Sequence, residues 1–250
     1  DRVAAPLARE PARLAATAWA AGLEQLAGLV RSANGPVVLL ASGRASTESL
    51  AALRRLVDGK LVTAAVRVPM AADEAPLAGV PNLARRRELA PNGDGAALLG
   101  YGRDWAAAVQ AAASAALVLI LDADLTDDEV SRLQGAGAVA VLHSVDDDRW
   151  PWAAAILPVT TYAEEEGTWV NRDGRVQRYL QARPAPGMAR PAWWVAAEAW
   201  ALLGDGREAE STASAAFAAA GKLAPPLAGL GYGDLGLTGR TVDLGVGSAR

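Results

Sequence analysis

One histidine and a handful of acid side chains carry most of the chemistry open to this sequence. His143 ends an apolar run and is followed by Asp146, Asp147 and Asp148. An imidazole beside carboxylates can act as a general base, and adjacent carboxylates can take up a divalent cation. A lone histidine is more often structural, and an acidic run more often a solvated loop. Asp122 and Asp124 could work as a carboxylate pair or cap the loop they begin. Ser42 and Asp94 could each offer an oxygen to a metal, although no flanking pattern marks either. With no cysteine in the chain, disulfides, thiolate nucleophiles, cysteine-ligated zinc and cysteine-held iron-sulfur clusters are excluded for these residues. Gly43 to Ser49 lacks the three-glycine spacing of a dinucleotide turn, so no NADH site is expected there.

Those residues sit at the ends of periodic segments. Apolar residues at helical spacing predict a helix over Thr17 to Arg31, stopped by Asn34, Gly35 and Pro36. Val37 to Ala41 is apolar on both faces and reads as a strand of a parallel sheet. A turn and a helix carrying Leu50, Leu53, Leu56 and Val57 follow, with Ser46 or Thr47 as its cap. Leu61 to Val66, Leu117 to Leu121, Ala138 to Leu142 and Ala153 to Leu157 read as further strands, and Trp105 to Ala115 as a helix. Thr126 and Glu129 match a capping box, so Asp127 to Leu133 should be helical.

Strands alternating with helices predict an α/β fold, doubly wound, with a mainly parallel sheet. The expected organisation is an N-terminal arm and helix over 1–36, then a Rossmann-like α/β core over 37–160. Within that core, 67–102 should pass as an excursion over the sheet's C-terminal edge. A β-hairpin strap is expected over 161–183, turning at Asn171 to Gly174. Residues 184–250 should hold helices over Ala192 to Leu203, ended at Gly204-Asp205-Gly206, and over Ala213 to Lys222, then a surface tail from Leu223. Trp193, Trp194 and Trp200 on one helix either pack on their own domain or anchor a partner.

The chain is 52% hydrophobic and 21% charged, a globular balance, with a net charge of -4. That field does not suit nucleic acid. Apolar runs fall well short of the roughly 20 residues of a spanning helix, so direct membrane insertion is not expected. The start at Asp1 reads as the cut end of something longer.

A family resemblance rests on Ile156-Leu157-Pro158, then Glu164 to Gly167, Thr168-Trp169, Asn171 and Gly174-Arg175-Val176-Gln177. Molybdopterin oxidoreductases carry a similar segment, in which a strand ends in Leu-Pro and Glu, Gly-Thr, an aromatic, Asn and Gly-Arg-Val-Gln follow. Trp19 to Leu23, Ser42 to Glu48, Pro91 to Ala96 and Pro184 to Pro191 resemble other family segments, with Ala and Gly displaced by one in the first. The likeness spans residues 10 to about 205.

The resemblance implies loops at the sheet's C-terminal edge that present amides, Asn, Thr and Arg to pterin and phosphate groups. The matching cofactor-binding positions, if a pterin is bound, are Thr168, Asn171, Arg175 and Gln177. The same set also serves architecture, with Arg175 paired to Glu164 or Glu166 and the hairpin strapped across the sheet edge. Active relatives hold molybdenum or tungsten through Cys, selenocysteine, Ser or Asp besides the pterin, and this chain has no Cys.

Within the superfamily the chain is most similar to the cofactor-free C-terminal part of a peripheral-arm subunit of NADH-quinone oxidoreductase, complex I, in which the fold persists as a scaffold. That likeness implies an assembly role, with no catalytic residue, metal or cofactor in this segment and iron-sulfur clusters in an upstream one. It also implies flavin- and iron-sulfur-bearing peripheral-arm partners, and a peripheral place on the cytoplasmic side of the bacterial inner membrane. The alternative is a fragment of an active molybdopterin-dependent oxidoreductase such as a formate dehydrogenase. A free-standing α/β ligand-binding domain is supported by the fold alone.

Overall fold

Five strands with apolar residues on both faces form the parallel centre of a seven-stranded sheet in a computed structural model, which describes residues 1–245 apart from 12 and 205. In chain order the elements are β1 (Leu7–Arg9), β2 (Leu14–Ala16), α1 (Trp19–Ser32), β3 (Val37–Ser42), α2 (Thr47–Leu56), β4 (Leu61–Arg67), β5 (Ala75–Leu77), β6 (Val80–Arg85), α3 (Gly93–Leu98) and α4 (Trp105–Ala112). Then come β7 (Leu117–Leu121), α5 (Asp127–Leu133), β8 (Val139–His143), β9 (Ala155–Pro158), β10 (Gly167–Val170), β11 (Arg175–Tyr179), α6 (Ala192–Ala201), α7 (Ala213–Ala220), α8 (Tyr232–Leu235) and β12 (Arg240–Thr241). The main sheet runs β2-β1-β9-β8-β7-β3-β4, with β9, β8, β7, β3 and β4 mutually parallel.

The period of two along each strand decides which helices cover which face. Val37, Leu39, Leu117 and Leu119 join the core under α1, α2, α6 and α7, whereas Val38, Leu40, Val118 and Ile120 join the one under α4 and α5. The doubly wound α/β fold is therefore present. Helix α2 is largely enclosed, because it packs on both α6 and α7. Its Leu50, Leu53 and Leu56 are at most 2% exposed, each contributing about 1.5–3 kcal/mol of burial. Caps fix the helix starts. The Ser46 hydroxyl accepts from the Ser49 amide, and the Thr126–Glu129 capping box forms as its spacing predicts.

Three regions differ from expectation. The N-terminal arm adds two strands, since β1 pairs antiparallel with β9 (Ala8 beside Ala155) and β2 with β1. Three-residue strands leave too short a pattern for alternation to be legible. The segment after Leu223 is not only a surface tail. It contains a 3-10 turn at Pro225–Leu227, then α8, then β12 paired with β11, and it buries Leu227, Tyr232 and Leu235. Its glycines hid the order. The hairpin β10–β11 lies over α2, α3 and α7 and not across the sheet edge, forming a three-stranded sheet with β12.

Arg175 pairs with neither Glu164 nor Glu166. Its guanidinium donates to the Thr238 carbonyl at 2.9 Å, while Glu164 takes Arg2 and Arg183, and Glu166 takes Arg178. On α6, Trp193 is buried, Trp194 meets Trp19 edge-on at 5.4 Å, and Trp200 lies against both Arg55 (4.2 Å) and Arg207 (4.8 Å). All three tryptophans thus pack within the chain. No helix among the described residues is long and apolar enough to cross a membrane. Asp205, expected to help end the helix after Ala192, and residues 246–250 of the expected tail lie outside the described residues.

Candidate functional site

From β3 the chain passes to β4 on one side and returns to β7 on the other, so the loops leaving β3 and β7 diverge. Such a switch point opens a crevice at the carboxyl ends of the strands. Here the crevice is a cleft of about 240 Å³, lined by Ser42, Arg44 and Ser46 after β3, Asp122 and Asp124 after β7, His143 and Ser144 after β8, and Thr160, Tyr162 and Glu165 beyond β9. It falls just below the range of roughly 300–1,000 Å³ usual for small-molecule sites.

Asp122 is the single non-glycine residue with positive φ (44°) among the described residues. Aspartate tolerates this left-handed conformation better than most side chains, but it is still strained. The strain turns its carboxylate onto β8, where Oδ1 accepts from the Ser144 amide at 2.7 Å and from the Ser144 hydroxyl at 2.9 Å. Burial raises its pKa, against the pull of His143 and the Ser144 bonds. His143 faces this group, its Nε2 being 3.8 Å from Asp122 Oδ1, and it also borders the acidic run after it. Within that run, Asp147 is held below the usual range chiefly by hydrogen bonds from Arg149. Asp124, mostly exposed, lies 3.9 Å from the Arg44 guanidinium.

The inner wall of the cleft is an acid and hydroxyl cluster that sequence reasoning missed. Glu165 accepts from the Thr160 hydroxyl at 2.7 Å and the Tyr179 hydroxyl at 3.0 Å, and burial raises its pKa to about 8. Behind it Glu48, on the first turn of α2, accepts from the Thr168 amide (2.9 Å), the Thr168 hydroxyl (3.0 Å) and the Tyr232 hydroxyl (2.7 Å). Burial raises this carboxyl to about 7. Tyr179 is pushed up as well, by burial and then by Glu165 and Glu48, and Tyr232 by burial and then by Glu48. The available signal was four consecutive polar residues, Ser46 to Ser49, ahead of the apolar stretch Leu50 to Leu53. Nothing in the Gly-rich tail marked Tyr232.

Whether these residues suit a phosphate-bearing pterin is decided at the turn between β3 and α2, where backbone amides would have to point at the ligand. Four of them point elsewhere. The Gly43 amide bonds Arg67 O (3.0 Å), Arg44 bonds Ser42 Oγ (3.2 Å), Ala45 bonds Ser42 O (3.1 Å) and Ser49 bonds Ser46 Oγ (3.2 Å). A Cβ on Gly43 would meet Ala90 at 2.9 Å and Arg67 O at 3.2 Å, so protein fills the space that a ligand would need. Buried Asn92 fastens the turn, donating to Ala45 O (2.8 Å) and accepting from the Val170 amide (2.8 Å). With Asp122 and Asp124 opposite, this wall does not fit a pyrophosphate. Nor do Ser42 and Asp94 converge as metal ligands. Ser42 is used within the turn and Asp94 pairs with Arg103 at 2.7 Å. Among the described residues no group of three His, Asp or Glu is placed to hold a metal ion.

The four residues matched to the cofactor-loaded family lie along the hairpin and not in the cleft lining. Thr168 is fully buried against Glu48. Asn171 Oδ1 accepts from the Asp173 and Arg175 amides, both at 2.9 Å, and shapes the turn at Gly174 (φ 72°). Arg175 and Gln177 are exposed on β11.

Residues 102–199 match the model of the molybdopterin oxidoreductase family. A stretch of 88 residues is 35% identical to the F420-dependent formate dehydrogenase 2 subunit alpha of Methanococcus maripaludis, covering 35% of this chain and 13% of that protein. Over 53 residues the chain is 43% identical to the putative formate dehydrogenase YrhE of Bacillus subtilis, covering 21% of this chain and 5% of that protein. Over 56 residues it is 41% identical to the assimilatory nitrate reductase catalytic subunit of Bacillus subtilis, covering 22% and 8%. The chain spans only a small part of the length of these relatives.

Proposed function

We propose, from the match of residues 102–199 to the molybdopterin oxidoreductase family, that the chain serves as a scaffolding α/β segment of a larger oxidoreductase of that kind. The observation that carries this reading is the closed β3–α2 turn, four of whose amides bond Arg67, Ser42 and Ser46 within the chain. Groups that would serve a ligand in an open turn serve packing in this one. The segment then contributes a rigid wall and a hairpin surface, while electrons move through groups held elsewhere in the protein.

Two parent enzymes follow from this reading. In a peripheral-arm subunit of an NADH-quinone oxidoreductase, complex I, a wall of this type needs no pterin of its own, which agrees with the closed turn. Its partners would be the flavin- and iron-sulfur-bearing subunits of that arm, beside a membrane on its cytoplasmic side. The second parent is an active molybdopterin enzyme of the formate dehydrogenase type, and the two formate dehydrogenases among the relatives favour it. There the exposed Arg175 and Gln177 and the half-buried Asn171 would reach a pterin held mainly by other parts of the enzyme, and Thr168 would stay bound to Glu48.

Metal and pterin analysis of the full-length protein purified from its source tests both. Iron without molybdenum or tungsten, with flavin subunits co-purifying, is the outcome expected of the complex I reading. One pterin and one molybdenum or tungsten per chain would overturn it in favour of the active enzyme. If the pterin is lost on changing Arg44 and Ser46 but not Arg175, the β3–α2 turn is a ligand site after all and the scaffold reading falls with it.

A further inference from the structure

Two carboxylic acids with no cation between them lie where three separate elements meet α2. Glu48 binds β10 through Thr168 and α8 through Tyr232, and Glu165 binds β11 through Tyr179 and the β9 exit through Thr160. Removing the protons would place two negative charges in one another's field, away from water, a costly arrangement without a paired cation.

The surrounding charges do not relieve it. Arg178 on β11 lies over the Tyr232 ring at 4.5 Å, but its guanidinium is bound to Glu166. Glu166 adds a further negative charge near Tyr232. Of the other elements on α2, β3, β10 and α7 carry no ionisable residue, α6 carries only Glu198, and α3 only Asp94, already paired with Arg103. On α2 itself, Arg54 donates to Leu99 O and Arg55 pairs with Glu210.

We infer that Glu48 and Glu165 form a protonation-operated clasp. With protons bound, they hold the hairpin and the C-terminal α8–β12 segment onto α2. Without them, these elements lift away and the inner wall of the cleft opens.

The clasped elements are suited to moving. Helix α8 is a single turn and β12 two residues, and Gly231, Gly233, Gly236 and Gly239 punctuate them. Beyond the acid network they are held by the burial of Tyr232 and Leu235, by the Phe217–Tyr232 ring contact, and by β11, through the β12 pairing and the Arg175 bond to the Thr238 carbonyl. The upward displacement of both acids, to about 7 and about 8, sets the window in which release occurs. The clasp is independent of the proposed parent enzyme, because it uses no cofactor and no partner.

Amide hydrogen exchange on the full chain, corrected for intrinsic rates and read against β7, tests the clasp. From about pH 6 to about pH 9, amides of β11, α8 and β12 are expected to lose protection about tenfold or more, while β7 holds. In the Glu48→Gln and Glu165→Gln double variant the side-chain amides mimic the protonated acids, and protection is expected to persist at about pH 9. If that variant does not fold, Tyr232→Phe supplies the reading, with α8 exchanging rapidly at both pH values and the hairpin still responding to pH. Equal protection of the wild type at both pH values overturns the clasp, as does an undiminished pH response in the folded double variant.

Discussion

Glu164 and Glu165 are neighbours in the chain, both buried, and the protein treats them in opposite ways. Burial pushes Glu164 up, but the Thr161 amide and the guanidinium groups of Arg183 and Arg2 more than reverse this and bring it to about 2. Glu165 turns the other way, finds hydroxyls instead of guanidinium groups, and rises to about 8. One side of the loop is therefore an ion-paired clamp that ties the N-terminus to the end of the hairpin. The other is a neutral network tying the hairpin and the C-terminal segment to α2. What separates them is the partner, since a cation repays the desolvation of a carboxylate and a hydroxyl repays only part of it.

The contrast gives global stability two limbs of opposite sign, the largest effect expected. Glu164, with its folded pKa depressed, contributes fully above the unfolded value of 4.5, and that contribution is lost as pH falls through about 2. Glu48 and Glu165, with raised values, contribute fully below 4.5 and lose that contribution as pH rises through about 7 and about 8. Denaturant titrations across pH should show both limbs, and the double Gln variant should flatten only the alkaline one. An alkaline limb equally steep in that variant would assign it to other groups.

Glu164→Ala comes next. It strands Arg2, and also Arg183, which is 62% exposed, so a loss of about 3 kcal/mol is expected, at the low end for breaking a buried pair. Urea midpoints would measure it. Thr168→Val should cost less, about 1–2 kcal/mol, because it removes the hydroxyl bond to Glu48 and leaves the amide bond. A change several times larger would mean that the Thr168 hydroxyl orders the whole cluster. Asp122→Asn is the smallest. The amide keeps an acceptor for Ser144 and also tolerates positive φ, so the melting temperature should move by no more than about 0.5 kcal/mol implies.

The parallel core was legible in the sequence because its strands are apolar on both faces and three of its helices, α2, α4 and α5, carry caps. Leu117–Leu121 and Asp127–Leu133 fall where pattern and capping box place them. What escaped was structure made by pairing at a distance. Leu7–Arg9 and Arg240–Thr241 are strands only because β9 and β11 lie beside them. The cleft was half legible. Asp122 and His143 stood out by type and position, but their facing one another depends on a backbone twist at Asp122 that composition does not reveal. Glu48 was concealed by its usual place in the first turn of a helix, where an acid ordinarily serves the helix dipole in water. Tyr232, distant in sequence, is what turns that position inward.

The pairing of β1 with β9 has a consequence for biosynthesis. Leu7–Arg9 closes the sheet against Ala155–Pro158, so on the ribosome its partner is made last among the strands of the main sheet. At about 5–20 residues per second, the arm waits roughly 7–30 s with its strand edge open. During that interval it is the part of the nascent chain most in need of a chaperone, and its docking marks the moment at which the sheet stops offering that edge to other molecules.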